Sequence, residues 1–161
     1  MTPRTTRHLT SVFLVREGSV LLLYRRGSRA IADSWVGIGG HVEANELGNP
    51  TAAALRELHE EVAVISDHVD NFNLRYVALR DTGTELRTTY YFTADLRPEA
   101  PVPTECTEGD LRWFDLAVAP PELEMPPTAE VAFAHWWAVG RCDEALRFIL
   151  IDDGGHVTGP V

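Results

Sequence analysis

One sharply bounded helix restricts the architecture of this chain more than any other feature. Asn49 is a good helix cap and Pro50 suits the first helical position, so a helix starts there and runs to about Ala63. Strand patterns surround it. Upstream, Leu9 to Val15 and Ser19 to Arg25 flank the turn signal Arg16-Glu17-Gly18 and read as a hairpin. Next comes a glycine-rich loop from Gly27 to Glu46, broken by a short strand near Trp35 to Ile38. Downstream, Phe72 to Asp81 and Leu86 to Leu96 alternate across Thr82-Gly83-Thr84, and Leu111 to Leu116 is another short strand. Thr128 can cap a final helix reaching about Gly140, before a last strand at Leu146 to Ile151. Strands interleaved with two helices point to an α/β (α+β) class, a mixed sheet sandwiched between helices. No linker or internal repeat divides residues 1–161, so a single domain is expected.

Composition narrows the partners. With 45% hydrophobic and 24% charged residues the chain is neither disordered nor fibrous. Its longest apolar run, Val20 to Tyr24, is far short of a bilayer span, and Val12 to Val15 is too short for a signal-peptide core. Cys106 and Cys142 form no Cys-x-x-Cys pattern, and a cytoplasmic protein with no membrane partner is expected. A net charge of −10 repels long phosphate backbones, which argues against long nucleic acid. A small phosphate ester can still bind if a divalent cation lies between. All 14 basic residues are Arg, so any basic phosphate contact must come from arginine.

The chemistry concentrates in Gly39-Gly40-His41-Val42-Glu43, then Glu46, then Arg56-Glu57-Leu58-His59-Glu60-Glu61. At ~100° per residue, Glu57, Glu60 and Glu61 share a ~100° sector of the helix, while Leu55, Leu58 and Val62 lie on the other side. Three carboxylates on one face repel one another by about a few tenths of a kcal/mol per pair. Glu-rich helix faces are usually just solvated, but this one has only Arg56 interspersed. A hard divalent cation would reverse the sign of the interaction, and Mg²⁺ prefers carboxylate oxygens.

The ordered set Gly40, Glu46, Arg56, Glu57, Leu58, Glu60, Glu61 and Val64 resembles the box of the Nudix hydrolase superfamily. The resemblance extends from about Ser11 to Leu116. Two departures stand out. Nine residues separate Glu46 from Arg56 where the family pattern has seven, and we place the extra pair in the loop Leu47-Gly48-Asn49-Pro50. Ala63 stands where the pattern has Gly, which touches helix termination rather than the charged residues.

The resemblance implies a Mg²⁺-dependent pyrophosphohydrolase, with Mn²⁺ as a substitute, acting on a small nucleotide. It implies metal ligands at Glu57, Glu60, Glu61 and the Gly39 carbonyl, and a catalytic base left open among Glu57, Glu60, Glu61 and Glu108, with Glu60 and Glu61 the favoured catalytic pair. Glu108, with Glu105 and Asp110 as rivals, precedes Trp113 as a further ligand. Arg56 and Glu46 would be structural partners. Arg25 or Arg26, at the end of the second strand, would contact phosphate. The lead-in Trp35-Val36-Gly37-Ile38-Gly39-Gly40 and the Trp113-Phe114 strand look like the MutT-like branch that hydrolyses nucleoside triphosphates. Val36 and Pro126-Pro127-Thr128-Ala129 stand where that branch carries its polar purine readers, so oxidised-guanine specificity is not implied. The substrate reading stops at a nucleoside triphosphate or nucleoside-diphosphate derivative. The alternative is a nucleotide-binding or regulatory module with weak catalysis. Trp136 and Trp137 are expected in the core, and a homodimer is compatible with the exposed strand edges.

Overall fold

The computed structural model describes residues 3–29 and 32–161. Eight strands form one mixed sheet: β1 (Thr5–Arg16), β2 (Ser19–Arg25), β3 (Ser34–Val36), β4 (Val69–Asp81), β5 (Glu85–Leu96), β6 (Gly109–Asp115), β7 (Arg147–Ile151) and β8 (Val157–Thr158). Their order is β3-β2-β1-β5-β4-β7-β8, with β6 on the other edge of β2. β1 runs parallel to β5 and β4 parallel to β7; the other pairs are antiparallel. Two helices cover the sheet, α1 (Pro50–Val62) on one face and α2 (Pro127–Ala138) on the other.

Strand alternation explains why both faces are dry. Val12, Leu14, Leu21 and Leu23 pack under α1, while Phe13, Val20 and Leu22 pack under α2. The apolar runs in β1 and β2 are therefore continuous rather than alternating, as a strand buried on both sides requires. Tyr91 packs on the α2 face, opposite its neighbours Tyr90 and Phe92. Trp136 and Trp137 are core residues, as expected. Among the described residues, no helix is long and apolar enough to cross a membrane.

Several boundaries differ from expectation. The hairpin turn is only Glu17-Gly18, both with positive φ, the geometry that matches strand twist. β1 begins at Thr5 because its parallel ladder with β5 continues that far. β8 was not anticipated. The last helix starts at Pro127 after Pro126, and Thr128 does not cap it. Thr128 is instead buried in the first turn, with its hydroxyl 2.8 Å from the Tyr91 hydroxyl. A tertiary partner has taken the group that local reasoning assigned to the helix end.

The site is positioned by a fork in the sheet. β1 and β2 pair only over Leu14–Arg16 and Ser19–Leu21 and then diverge. Residues 38–42 enter the fork and bond to the free edge of β1: Thr10 N donates to Gly40 O at 2.8 Å and Val42 N donates to His8 O at 2.9 Å. Gly39 is required by this close approach, since a side chain there would collide with the Thr10 carbonyl.

Candidate active site

Helix α1 begins as its sequence dictates: Asn49 Oδ1 accepts from Ala52 N at 3.1 Å, and Pro50 follows. α1 is helical throughout Pro50–Val62, so the carboxylate face is regular, as placing the two extra residues ahead of the helix requires. Ala53, Ala54, Leu58 and Val62 bury the opposite face.

Arg56 organises the charges. Its Nε donates to Glu46 Oε1 at 2.8 Å and its terminal nitrogens to Glu46 Oε2 at 3.0 Å, Glu57 Oε1 at 2.9 Å, Glu60 Oε2 at 3.0 Å and His41 O at 2.9 Å. Glu46 Oε2 also accepts from Glu43 N at 3.0 Å. The Arg56 hydrogen bond, then the Glu43 N–H, hold the Glu46 carboxyl below its ordinary range, and the same partner raises Arg56. One guanidinium thus joins the loop to the helix.

Glu57 and Glu61 turn towards the glycine segment. Gly40 has no room for a side chain, because a Cβ there would lie 2.7 Å from the Glu57 carboxylate. Gly39 N donates to Glu61 Oε2 at 3.2 Å. Burial, opposed by Arg56, raises Glu57. Burial together with the nearby Glu108 and Glu57 charges pushes Glu61 up to about 8. Of the three acids before Trp113, Glu108 is the one that comes near these two; Asp110 pairs with Arg26, and Glu105 is exposed. Glu108 is ion-paired with Arg25 through its buried Oε2. Glu60 stands apart, with its side chain 56% exposed and turned to Arg56.

The two expected phosphate arginines separate. Arg25 lines the cleft and faces Glu108, whereas Arg26 is exposed, packs its guanidinium over the Tyr24 ring at 5.4 Å and lies outside the cleft. His41 and His59 are exposed.

A cleft of about 800 Å³ opens from Gly39, Gly40 and Arg25 across the α2 face of the sheet. Ser11, Arg87, Thr89 and Arg80 lie on its floor, and residues 123–130 form its opposite wall. Sequence reasoning missed the floor arginines and that wall. The turn Thr82-Gly83-Thr84 carried the signal for the arginines, because folding about it brings Arg80 opposite Arg87.

As they stand, the carboxylates are held by Arg56 and by Gly39 N–H rather than gathered about a point. Among the described residues, no three His, Cys, Asp or Glu side chains meet at metal-ligating distance. The donor set still suits a hard cation. Glu57, Glu61 and Glu108 are oxygen donors, and burial together with the Glu108 and Glu57 charges already raises Glu61.

The NUDIX domain family model matches residues 6–136. The chain belongs to the Nudix family. It is accordingly a hydrolase acting on pyrophosphate bonds. Solved Nudix structures share its fold. A Nudix hydrolase from Nitrosomonas europaea is 18% identical with a TM-score of 0.67, over 94% of this chain and 81% of that one. A mutator MutT protein from Bacillus halodurans is 21% identical with a TM-score of 0.61, over 95% of both. The RenU Nudix hydrolase from M. smegmatis is 21% identical with a TM-score of 0.59, over 89% of both. No curated protein matches the chain significantly. The Nudix match extends beyond Leu116 into α2, so the second helix is part of the family's domain rather than an addition to it.

Proposed function

We propose that this Nudix protein is a Mg²⁺-dependent pyrophosphohydrolase, with Mn²⁺ able to substitute. Its substrate would be a nucleoside triphosphate or nucleoside-diphosphate derivative. The observation that carries this reading is the approach of the Glu57 and Glu61 carboxylates to the Gly39-Gly40 backbone at the mouth of the cleft, with Glu108 near Glu61. When bound, the cation would neutralise phosphate charge and lower the pKa of a water.

The chain supplies the rest. Glu57, Glu60, Glu61, Glu108 and the Gly39 carbonyl are the candidate ligands. Gly39 N–H fixes the Glu61 carboxylate, and Arg56 fixes Glu57 while tying α1 to Glu46. One Glu accepts the proton of the attacking water, and burial favours Glu61 for this over the exposed Glu60. Arg25, between Glu108 and the cleft, can exchange its carboxylate partner for a phosphate oxygen. The nucleoside would then lie along the sheet, against the wall that contains Leu123, Met125 and Pro126.

The test is turnover of a nucleotide panel in Mg²⁺, following release of phosphate or pyrophosphate. Glu60→Gln and Glu61→Gln should each lower the rate by about two orders of magnitude or more. Unchanged turnover in both variants would refute the assignment. Nucleotide-induced stabilisation without turnover would favour the binding-module alternative.

A further inference from the structure

The Arg80 side chain lines the cleft half-buried, yet it takes part in no hydrogen bond, ion pair or ring contact among the described residues. Its partner across the β4–β5 ladder is Arg87. Directly opposed residues of an antiparallel pair share a face, with Cβ atoms roughly 4.5–5.5 Å apart, and like charges there repel. Arg87 has one compensating carboxylate, Glu85, and shares it with Arg7, whose Nε lies 3.0 Å from it. No carboxylate lies at ion-pair distance from Arg80 among the described residues: its neighbour Asp81 pairs with Arg4, and Glu130, Asp152 and Asp153, which line a smaller adjoining hollow with it, do not reach it. In a chain of net charge −10, Arg7, Arg80 and Arg87 thus have a single ion-paired carboxylate, Glu85, among them.

We propose that Arg80 and Arg87 form a second anion subsite. The preferred substrate is a nucleoside-diphosphate derivative bearing a further phosphomonoester, away from the scissile linkage. The inference rests on the reading above, in which the diphosphate lies at the Gly39–Glu61 end.

Sheet spacing separates the two ends. Residues 38–42, β1, β5 and β4 lie side by side. At one strand per 4.7–4.9 Å, the backbone of β5 stands about 10 Å, and that of β4 about 14 Å, from the glycine segment. Between them the floor is hydroxylic and uncharged. Ser11 Oγ is buried without a hydrogen-bond partner, and Thr89 lies beside it on the cleft floor. Those groups suit a sugar or base. The charged pair beyond suits a dianion, whose several oxygens match two guanidinium forks better than a single carboxylate does.

Calorimetry with adenosine 5′-monophosphate, adenosine 2′,5′-bisphosphate and adenosine 3′,5′-bisphosphate tests this without turnover. One bisphosphate should bind about 10- to 100-fold more tightly than the monophosphate, and Arg80→Gln should bring that ratio to within about threefold of one. Which bisphosphate gains tells which ribose hydroxyl carries the extra group. Equal or undetectable affinity for all three overturns the subsite, as does an Arg80→Gln variant that weakens all three alike. A KM for NADPH well below that for NADH, with the gap closed by Arg80→Gln, is the matching result in turnover. Hydrolysis of simple nucleoside triphosphates with no bisphosphate preference removes the Arg80–Arg87 assignment alone. Absence of any nucleotide turnover in Mg²⁺, with the bisphosphate preference intact, removes the hydrolase reading alone.

Discussion

Helices α1 and α2 cover opposite faces of one sheet and are built on opposite rules. α2 buries Thr128, Ala129, Ala132, Phe133, Trp136 and Trp137, and its rings stack into the sheet, with Phe133 5.3 Å edge-on to Phe13. Its polar groups that face the sheet are matched: Tyr91 meets Thr128, and the Tyr76 hydroxyl lies 2.8 Å from His135 Nδ1. α1 buries small and aliphatic residues and presents Glu57, Glu60 and Glu61 with one arginine among them. Stability is concentrated where every group is satisfied, and the unfavourable charge sits where a ligand can relieve it. Departures from local consistency are expected at functional sites, and here they fall on one helix face.

The largest expected break in this comparison is chemical. Glu61→Gln should lower kcat by about 10²–10⁴-fold, the range for a positioned acid–base group. The same change should leave the metal-free protein at pH 8 as stable or more so, because it removes a buried charge that Glu108 and Glu57 oppose. Steady-state kinetics and a thermal melt of one preparation check both halves. A large loss of melting temperature with normal kcat would mean that α1 is a structural helix like α2.

The converse experiment is Trp136→Ala. Truncating this buried ring should cost about 3–5 kcal/mol, read as a lower denaturant midpoint, while the molecules that remain folded keep their KM. A loss below about 1 kcal/mol would show that α2 is not where the fold is held.

Much of this division was legible in local sequence. Asn49 and Pro50 set the start of α1 through contacts within four residues, and the carboxylate sector followed from helical geometry. What escaped depended on distant partners. Thr128 reads as a cap until Tyr91, from β5, takes its hydroxyl. Alternation tells that Arg25 and Arg26 point apart, but only the sheet fork decides that Arg25 has the cleft. Residues 123–130 join the segment before α2 to its first turn, and their role as a wall arises only when α2 docks on the sheet. The Arg80–Arg87 pair needed the ladder register as well as the turn.

A cation should sharpen the comparison by an intermediate amount. A free Mg²⁺ concentration of one hundred times Kd adds about 2.7 kcal/mol, or roughly 5–10 °C in Tm for a chain of this size. The pH dependence has a definite sign. Glu61 is raised from 4.5 to about 8, so its contribution to metal-free stability is fully present below about 4.5 and lost as pH rises through about 8. Deprotonated carboxylates are also the form that binds the ion. The Mg²⁺-induced shift should therefore grow from pH 6 to pH 8.5, and a shift that is flat across this range would separate the carboxylates from the metal.

The smallest effect concerns the end of α1. Ala63 adopts φ 56° and ψ 25°, the left-handed conformation, and its N–H bonds back to His59 O at 3.0 Å. An alanine there meets the clash between Cβ and carbonyl that glycine avoids. Ala63→Gly should therefore stabilise the protein by about 1 kcal/mol, or roughly 2–4 °C, with kcat unchanged. The direction is informative because the same change inside a helix would destabilise by a similar amount. A loss on Ala63→Gly would place residue 63 within the helix proper and extend the carboxylate helix past Val62. A gain with altered kcat would mean that strain at the helix end is transmitted to Glu61 and Glu60, two and three residues before it.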